Sequence, residues 1–404
     1  MSFISSTSHR WRDLSWSALL MGMLVAIVGF TSSFAIVLQG LRAAGATEAQ
    51  AASGLMALSV GMGLSGIWLS ARHQMPISVA WSTPGAALLI TSGGSLSSFS
   101  AAVGAFVVCG LLLLLAGIVR PLGRAIEQIP SSLANAMLAG ILLMLCLAPV
   151  RALAFDLWLA VPVILTWWLV GLVYRLFAVP VALLMLLVVV SWRFGLPENF
   201  VEAASQALMP APVFVMPVFE LSAMISIGLP LFVVTMASQN IPGMAVLRAN
   251  GYSPQAGPLF SNTAIASLIS ALFGAHAINL AAITAAMCAG SDAHTDPARR
   301  YWAAIVAGIG YVLFGLMAGV IVLLVTMVPS VLIEAIAGLA LIGAFTASAV
   351  AAFTVPEERE AAAVTFLFAA SGVAFLGIGG AFWGLLAGGV MLLVSRRLAT
   401  RTGQ

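Results

Sequence analysis

Runs of about 20 or more apolar residues recur along this chain, and few features restrict a fold so severely. Leu14 to Leu38, Phe99 to Val119, Leu153 to Phe177 and Trp302 to Val328 are each long enough to cross a bilayer core of roughly 30 Å. In hydrocarbon every backbone N–H and C=O must be satisfied inside the protein, which leaves helices or a closed barrel. No period-2 alternation runs through the segments, so helices are expected. Composition closes the soluble alternative. Of 404 residues 62% are hydrophobic and 7% charged, against about 25% charged in a soluble domain.

The pattern predicts an all-α polytopic membrane protein with about 14 spans. They fall at 14–38, 51–69, 77–92, 98–118, 132–149, 153–175, 179–194, 219–238, 255–273, 277–290, 299–325, 330–352, 358–376 and 380–395. Trp11, Arg12 and Asp13 precede the first run without a small-residue cleavage site, so it reads as a span and not as a removed signal. Cys109, Cys146 and Cys288 lie inside apolar segments and read as small core residues.

Arginine tests the orientation, because the chain has no lysine. With the N-terminus in the cytoplasm, Arg10, Arg12, Arg72, Arg120, Arg124, Arg175, Arg248, Arg299, Arg300, Arg359, Arg396, Arg397 and Arg401 fall inside. Only Arg42, Arg151 and Arg193 fall outside. This bias predicts cytoplasmic N- and C-termini in a bacterial inner membrane.

An internal repeat accompanies the spans. Leu41-Arg42-Ala43-Ala44-Gly45 follows the first and Leu247-Arg248-Ala249-Asn250-Gly251 the eighth, 247 − 41 = 206 residues apart. Val28 with Val234 and Ser32 with Ser238 match at the same offset. One copy falls outside and the other inside, so the expected architecture is two inverted seven-span repeats, as in many secondary transporters.

Two segments interrupt the helices. In Met75 to Ala87, Pro84 disfavours helix at Thr83, so a helix starts near Ser82, capped by Ser82 or Thr83, after an extended Ile77 to Trp81. The counterpart is Gly274 to Thr284. Each reads as a short strand leading into a half-helix that begins within the membrane, in the third and tenth spans. Two such N-termini, with free N–H groups, would hold an anion without any cationic side chain. Two ordinary kinked spans are the competing reading.

Polar clusters occur at Thr31-Ser32-Ser33 and at Ser238-Gln239-Asn240, the latter ahead of a helix-breaking Pro242-Gly243. Hydroxyls can bond their own helix, whereas adjacent amides call for partners or a cavity. The stretch Val233 to Gly243, with Pro76 to Gly85 and Asp292 to Arg300, resembles the benzoate/proton symporter family, which shares its fold with nucleobase permeases. The resemblance covers essentially the whole chain. It implies a substrate-carrying core formed by 1–118 and 219–325, a gate formed by 119–218 and 326–404, and pairing of two copies. Nucleobase permeases place glutamates on the eighth and tenth spans, where this chain has Gln239 and Asn240, and Ile278 and Asn279. A neutral amide donates to an anion that a carboxylate would repel. The implied substrate is a small organic anion with an apolar body, such as benzoate. Its site would take in Ser32, Ser78, Val79, Ser82, Thr83, Gln239, Asn240, Ile278 and Asn279, with Phe30, Phe34, Trp81 or Met236 against the ring.

For a coupled proton, His276 and Glu334 are the candidates, with Asp156 and Glu220 read as anchors at span ends; a substrate arriving as the neutral acid needs neither. Asp292, His294 and Asp296 read as a helix cap rather than a metal site. Glu357, Glu358 and Glu360 suit a helix start. No Walker-type glycine loop calls for a nucleotide cofactor, no polar set at one depth suggests an enzyme, and the arginines lack the interleaved aromatics of a nucleic-acid surface. A permease for a nucleobase or inorganic anion, and a channel, remain as alternatives.

Overall fold

The computed structural model describes residues 13–92, 96–119, 130–195, 200–208, 211–281, 283–375 and 378–402. Arg10, Arg12, Arg120 and Arg124 of the charge count lie outside these. The fold is mostly helical. Among the described residues seven helical stretches, Trp16–Ala43 counted as one, are long and apolar enough to cross a membrane, and a bent pair makes eight.

The first apolar run is not one helix. It divides into α1 (Trp16–Thr31) and α2 (Phe34–Ala43). The hydroxyls of Ser32 and Ser33 donate to the Gly29 carbonyl and that of Thr31 to Ile27, and Ser33 leaves helical geometry at φ −147°. Three consecutive side chains competing for helix carbonyls account for the break. Next come α3 (Glu48–His73), opened by a Thr47/Gln50 capping box, then β1 (Val79–Trp81), α4 (Thr83–Ser92) and α5 (Phe99–Ile118). The chain continues through α6 (Ser131–Cys146), α7 (Ala148–Phe155), α8 (Leu157–Val173), α9 (Ala178–Phe194) and a short α10 (Phe200–Ala207). Asp156 caps α8, its carboxylate accepting the Trp158 N–H at 2.8 Å.

The eighth apolar run forms α11 (Leu221–Ala249). Pro242-Gly243 does not end it, contrary to expectation. Met236 to Asn240 is π-helical, and the helix resumes with Pro242 in its first turn. In a π-turn the expected i→i−4 donor is already displaced, so a proline just beyond costs little. After it come α12 (Ala256–Ala271), β2 (Ile278–Leu280) and α13 (Ile283–Ala289). The eleventh run also divides, into α14 (Tyr301–Leu316) and α15 (Ala318–Thr326), bent by 58°. The last helices are α16 (Ser330–Ala352), α17 (Arg359–Ala370) and α18 (Gly380–Thr402).

The two matching pentapeptides end their helices in the same way. Gly45 and Gly251 both take positive φ, +94° and +85°. The next N–H reaches back to Leu41 in one copy (3.0 Å) and to Leu247 in the other (3.1 Å). This six-to-one bond with a left-handed glycine is a Schellman ending, and it explains why glycine stands in both copies.

Helix packing has two centres. α14 lies along α3 and α1, and α12 along α5 and α3; elsewhere α6 packs on α16 and α17, α17 on α18, and α8 on α9. The two broken segments sit between α3, α11 and α2.

Candidate functional site

An extended segment alone in hydrocarbon would leave its backbone bare, so each of the two short strands needs a partner. They supply each other. β1 and β2 pair antiparallel, with Val79 opposite Leu280, Ala80 opposite Asn279 and Trp81 opposite Ile278. Ser82 N–H to the Ala277 carbonyl (2.9 Å) and Ala281 N–H to the Ser78 carbonyl (3.0 Å) continue the ladder. α4 therefore leaves one end of the ribbon and α13 follows from the other, roughly 10 Å apart at about 3.4 Å per residue.

At the start of α4 the side chain of Ser82 is the cap. It accepts the Gly85 N–H at 3.1 Å and the Thr235 hydroxyl at 2.9 Å. Pro84 has no N–H, so the open donor set expected there reduces to the N–H of half-buried Thr83. α13 is shorter, at seven residues, and Thr284 in its first turn shares a 2.8 Å hydrogen bond with Ser78. The two half-helices are unequal. The first carries the better-formed N-terminus.

The adjacent amides of α11 divide by environment. Asn240 is fully buried, its Oδ1 accepts the Leu280 N–H at 2.9 Å, and its Nδ2 meets the Met236 sulfur at 3.2 Å. It holds the strand. Gln239 is half-buried and makes no hydrogen bond among the described residues. It stands about one turn beyond Thr235, whose hydroxyl touches the Ser82 cap. Ile278 is tied down through its backbone, its N–H donating to the Ser267 hydroxyl at 2.9 Å. Asn279 donates to the Leu280 carbonyl at 2.7 Å, while its Oδ1 is buried without a partner among the described residues. Val79 is buried beside them.

Aromatic groups close one side. The indole N–H of Trp81 donates to Ser33 Oγ at 2.9 Å, and its ring meets Phe30 edge-on. Phe30 also stacks on Phe34 and Phe314. These three phenylalanines line a cavity of about 180 Å³ that extends to α9, α15 and α16. The Ser32 hydroxyl is spent on its own helix. Met236 is buried under the amides.

Of the proton candidates, His276 lies just before β2 and is fully buried. Its Nδ1 accepts the Ala277 N–H at 2.7 Å and its Nε2 has no partner among the described residues. Glu334 is half-buried on α16 and takes part in no ion pair among the described residues. The two lie on separate helix groups. Sequence reasoning missed Gln39 of α2, whose amide nitrogen and oxygen are both buried without a partner among the described residues. The signal was a lone amide in the apolar Phe34 to Leu41.

The profile of the benzoate membrane transport proteins matches residues 12–394. The chain belongs to that family. A benzoate membrane transport protein of Acinetobacter baylyi is 35% identical over 380 residues, 93% of this chain and 94% of that protein. The inner membrane protein YdcO of Escherichia coli is 40% identical over 384 residues, 95% and 97% of the two chains. In fold, the transmembrane domain of the cyanobacterium bicarbonate transporter BicA superimposes with a TM-score of 0.61 at 14% identity, covering 94% of this chain and 98% of that one. This member of the benzoate family is thus a multi-pass membrane transport protein.

Proposed function

We propose that the chain is a secondary transporter importing an aromatic monocarboxylate such as benzoate, together with a proton, by alternating access. The observation that carries this reading is the free amide of Gln239 near a capped half-helix, in surroundings that hold no acid. No Asp or Glu occurs in 30–34, 78–85, 235–240 or 276–284. Two carboxylates about 4 Å apart would repel by about 4 kcal/mol at an effective dielectric of 20, so an anion site gains by excluding them. The Trp81 and Phe30 wall suits an aromatic ring, and the Thr83 N–H and Gln239 amide suit its carboxylate.

The architecture in this reading is 14 spans in two inverted halves. The core is 1–118 with 219–325 and the gate 119–218 with 326–404. The antiparallel ribbon supports it, since two strands related by a two-fold axis in the membrane plane pair in that way. So do the equivalent helix endings at Gly45 and Gly251. Both termini lie in the cytoplasm. The proton enters with the substrate as neutral acid or through His276 or Glu334.

The fold likeness to a bicarbonate transporter makes an inorganic-anion permease the second reading. Uptake of labelled benzoate, uracil, sulfate and bicarbonate into proteoliposomes separates the two, with and without an inward proton gradient. Benzoate uptake stimulated by the gradient is expected; preference for one of the other three would sink the proposal.

A further inference from the structure

Among the described residues, the polar groups on the buried surface of α2 lack partners. Ile36, Val37, Leu38 and Leu41 are fully buried. Next to them, both amide atoms of Gln39 are buried without a partner among the described residues, and so is Nε of Arg42. Arg42 spends Nη2 on Glu48 at 2.7 Å, at the rim. Leaving three such atoms dry is costly, and native proteins rarely do so without a ligand or water to complete them. Residues 35, 39 and 42 follow i, i+4, i+7 and so share one face of α2. Ala35 on that face lines the apolar cavity, as Phe34 and Thr31 do, and the Thr31 hydroxyl is already spent on Ile27. α2 packs on α16, which contributes Ile333 and Ile336 to the same cavity.

We propose that Gln39 and Arg42 form an outer docking position for the substrate carboxylate, separate from its position at the half-helix, with the apolar cavity that opens at Ala35 and reaches Phe30 receiving its ring. This rests on the transporter reading and its orientation, which put the C-terminal end of α2 outside. Chemically the site fits an amphiphile of one charge. The Gln39 amide and the Arg42 Nε–H donate to a carboxylate, and the turn between Ala35 and Gln39, about 6 Å of rise, leads into the apolar space. Glu48 takes part of the Arg42 charge and keeps the docking weak, which an entry site requires. Glu334, also on α16, lies one turn from Gly338, which abuts Leu145 and Pro149 of the α6–α7 region, and so belongs to another face.

The test compares the two sides of the membrane in oriented proteoliposomes. Half-saturation for benzoate uptake from outside and for efflux from inside are measured for wild type, Gln39→Glu, Gln39→Met and Arg42→Gln. Gln39→Glu is expected to raise the outer value about tenfold or more, the scale of one charge-assisted hydrogen bond, with Gln39→Met and Arg42→Gln raising it by less. The inner value should move by less than about twofold in each. If Gln39→Glu fails to insert, Gln39→Met decides, since it removes the polar atoms and keeps the shape. Unchanged outer values in an active protein overturn the docking site alone, and equal shifts on both sides overturn it by moving Gln39 to a shared site. A wild type that takes up no benzoate overturns the transporter reading, and this site with it.

Discussion

The side-chain oxygen of Asn240 accepts the backbone N–H of Leu280 at 2.9 Å, so α11 grips the end of β2 directly. Its neighbour Gln239 grips nothing among the described residues. Two adjacent amides thus differ in kind, and substitution should separate them.

Asn240→Leu leaves the Leu280 N–H buried and unpaired, and should cost about 1–3 kcal/mol of stability. Gln239→Leu removes no protein partner and should stay within about 0.5 kcal/mol, yet lose benzoate uptake. Thermal unfolding in detergent beside uptake tests the split. Equal destabilisation by the two changes would mean that Gln239 has a structural partner after all.

Gln239→Glu should impair transport more than Gln239→Leu, because it adds repulsion to the loss of a donor. At about 4 Å the repulsion is of order 4 kcal/mol at an effective dielectric of 20, enough to raise half-saturation at least a hundredfold. A Glu variant with normal half-saturation would place the carboxylate away from this amide.

At the start of α4, Ser82→Ala removes the cap and should cost about 0.5–2 kcal/mol. An acid added to the first turn is a sharper probe of the anion, but its position matters. Ala86 is fully buried, so an acid there would be stripped of water and would disturb the packing whatever its effect on the anion. Half-buried Thr83 is the better place. Thr83→Asp suits the helix dipole, so the protein should remain stable while uptake is abolished. Normal uptake by a stable Thr83→Asp protein would remove the half-helix from the mechanism.

Orientation can be read with single cysteines at Ala49 and Ala298, both exposed, in a Cys146→Ala background. The other two native cysteines are buried. An impermeant thiol reagent added to intact cells should label the first position only. Labelling of Ala298 alone would reverse the arginine argument, and labelling of both positions would remove the inverted repeat.

Much of this molecule is legible residue by residue. The apolar runs imply helices because hydrocarbon admits few other backbones. Pro84 after Ser82-Thr83 marks a helix start, since proline restricts the residue before it and lacks the N–H that a first turn leaves free anyway. Asp296 is legible too, and caps the turn Pro297–Arg299 through the Ala298 N–H at 2.9 Å. The break at Ser32-Ser33 was less so, because hydroxyls bonded to their own carbonyls fit a continuous span as readily as a broken one. Pro242 misled for a related reason: the π-turn that tolerates it depends on how α11 packs, and not on a local preference.

From the order of its residues alone this chain is a membrane-embedded helical protein with two interruptions and a resemblance to one family of carriers. Those properties depend on hydropathy, caps and proline, which act within a turn or two of the residue concerned. Which strand pairs with which, which of Gln239 and Asn240 remains free, and that Gln39 is stranded in apolar surroundings are decided only when the chain closes. Val79 and Leu280 are 201 residues apart in sequence and opposite each other in the ribbon. A backbone group deprived of water takes whichever partner the packed helices bring within reach, and no local pattern names that partner.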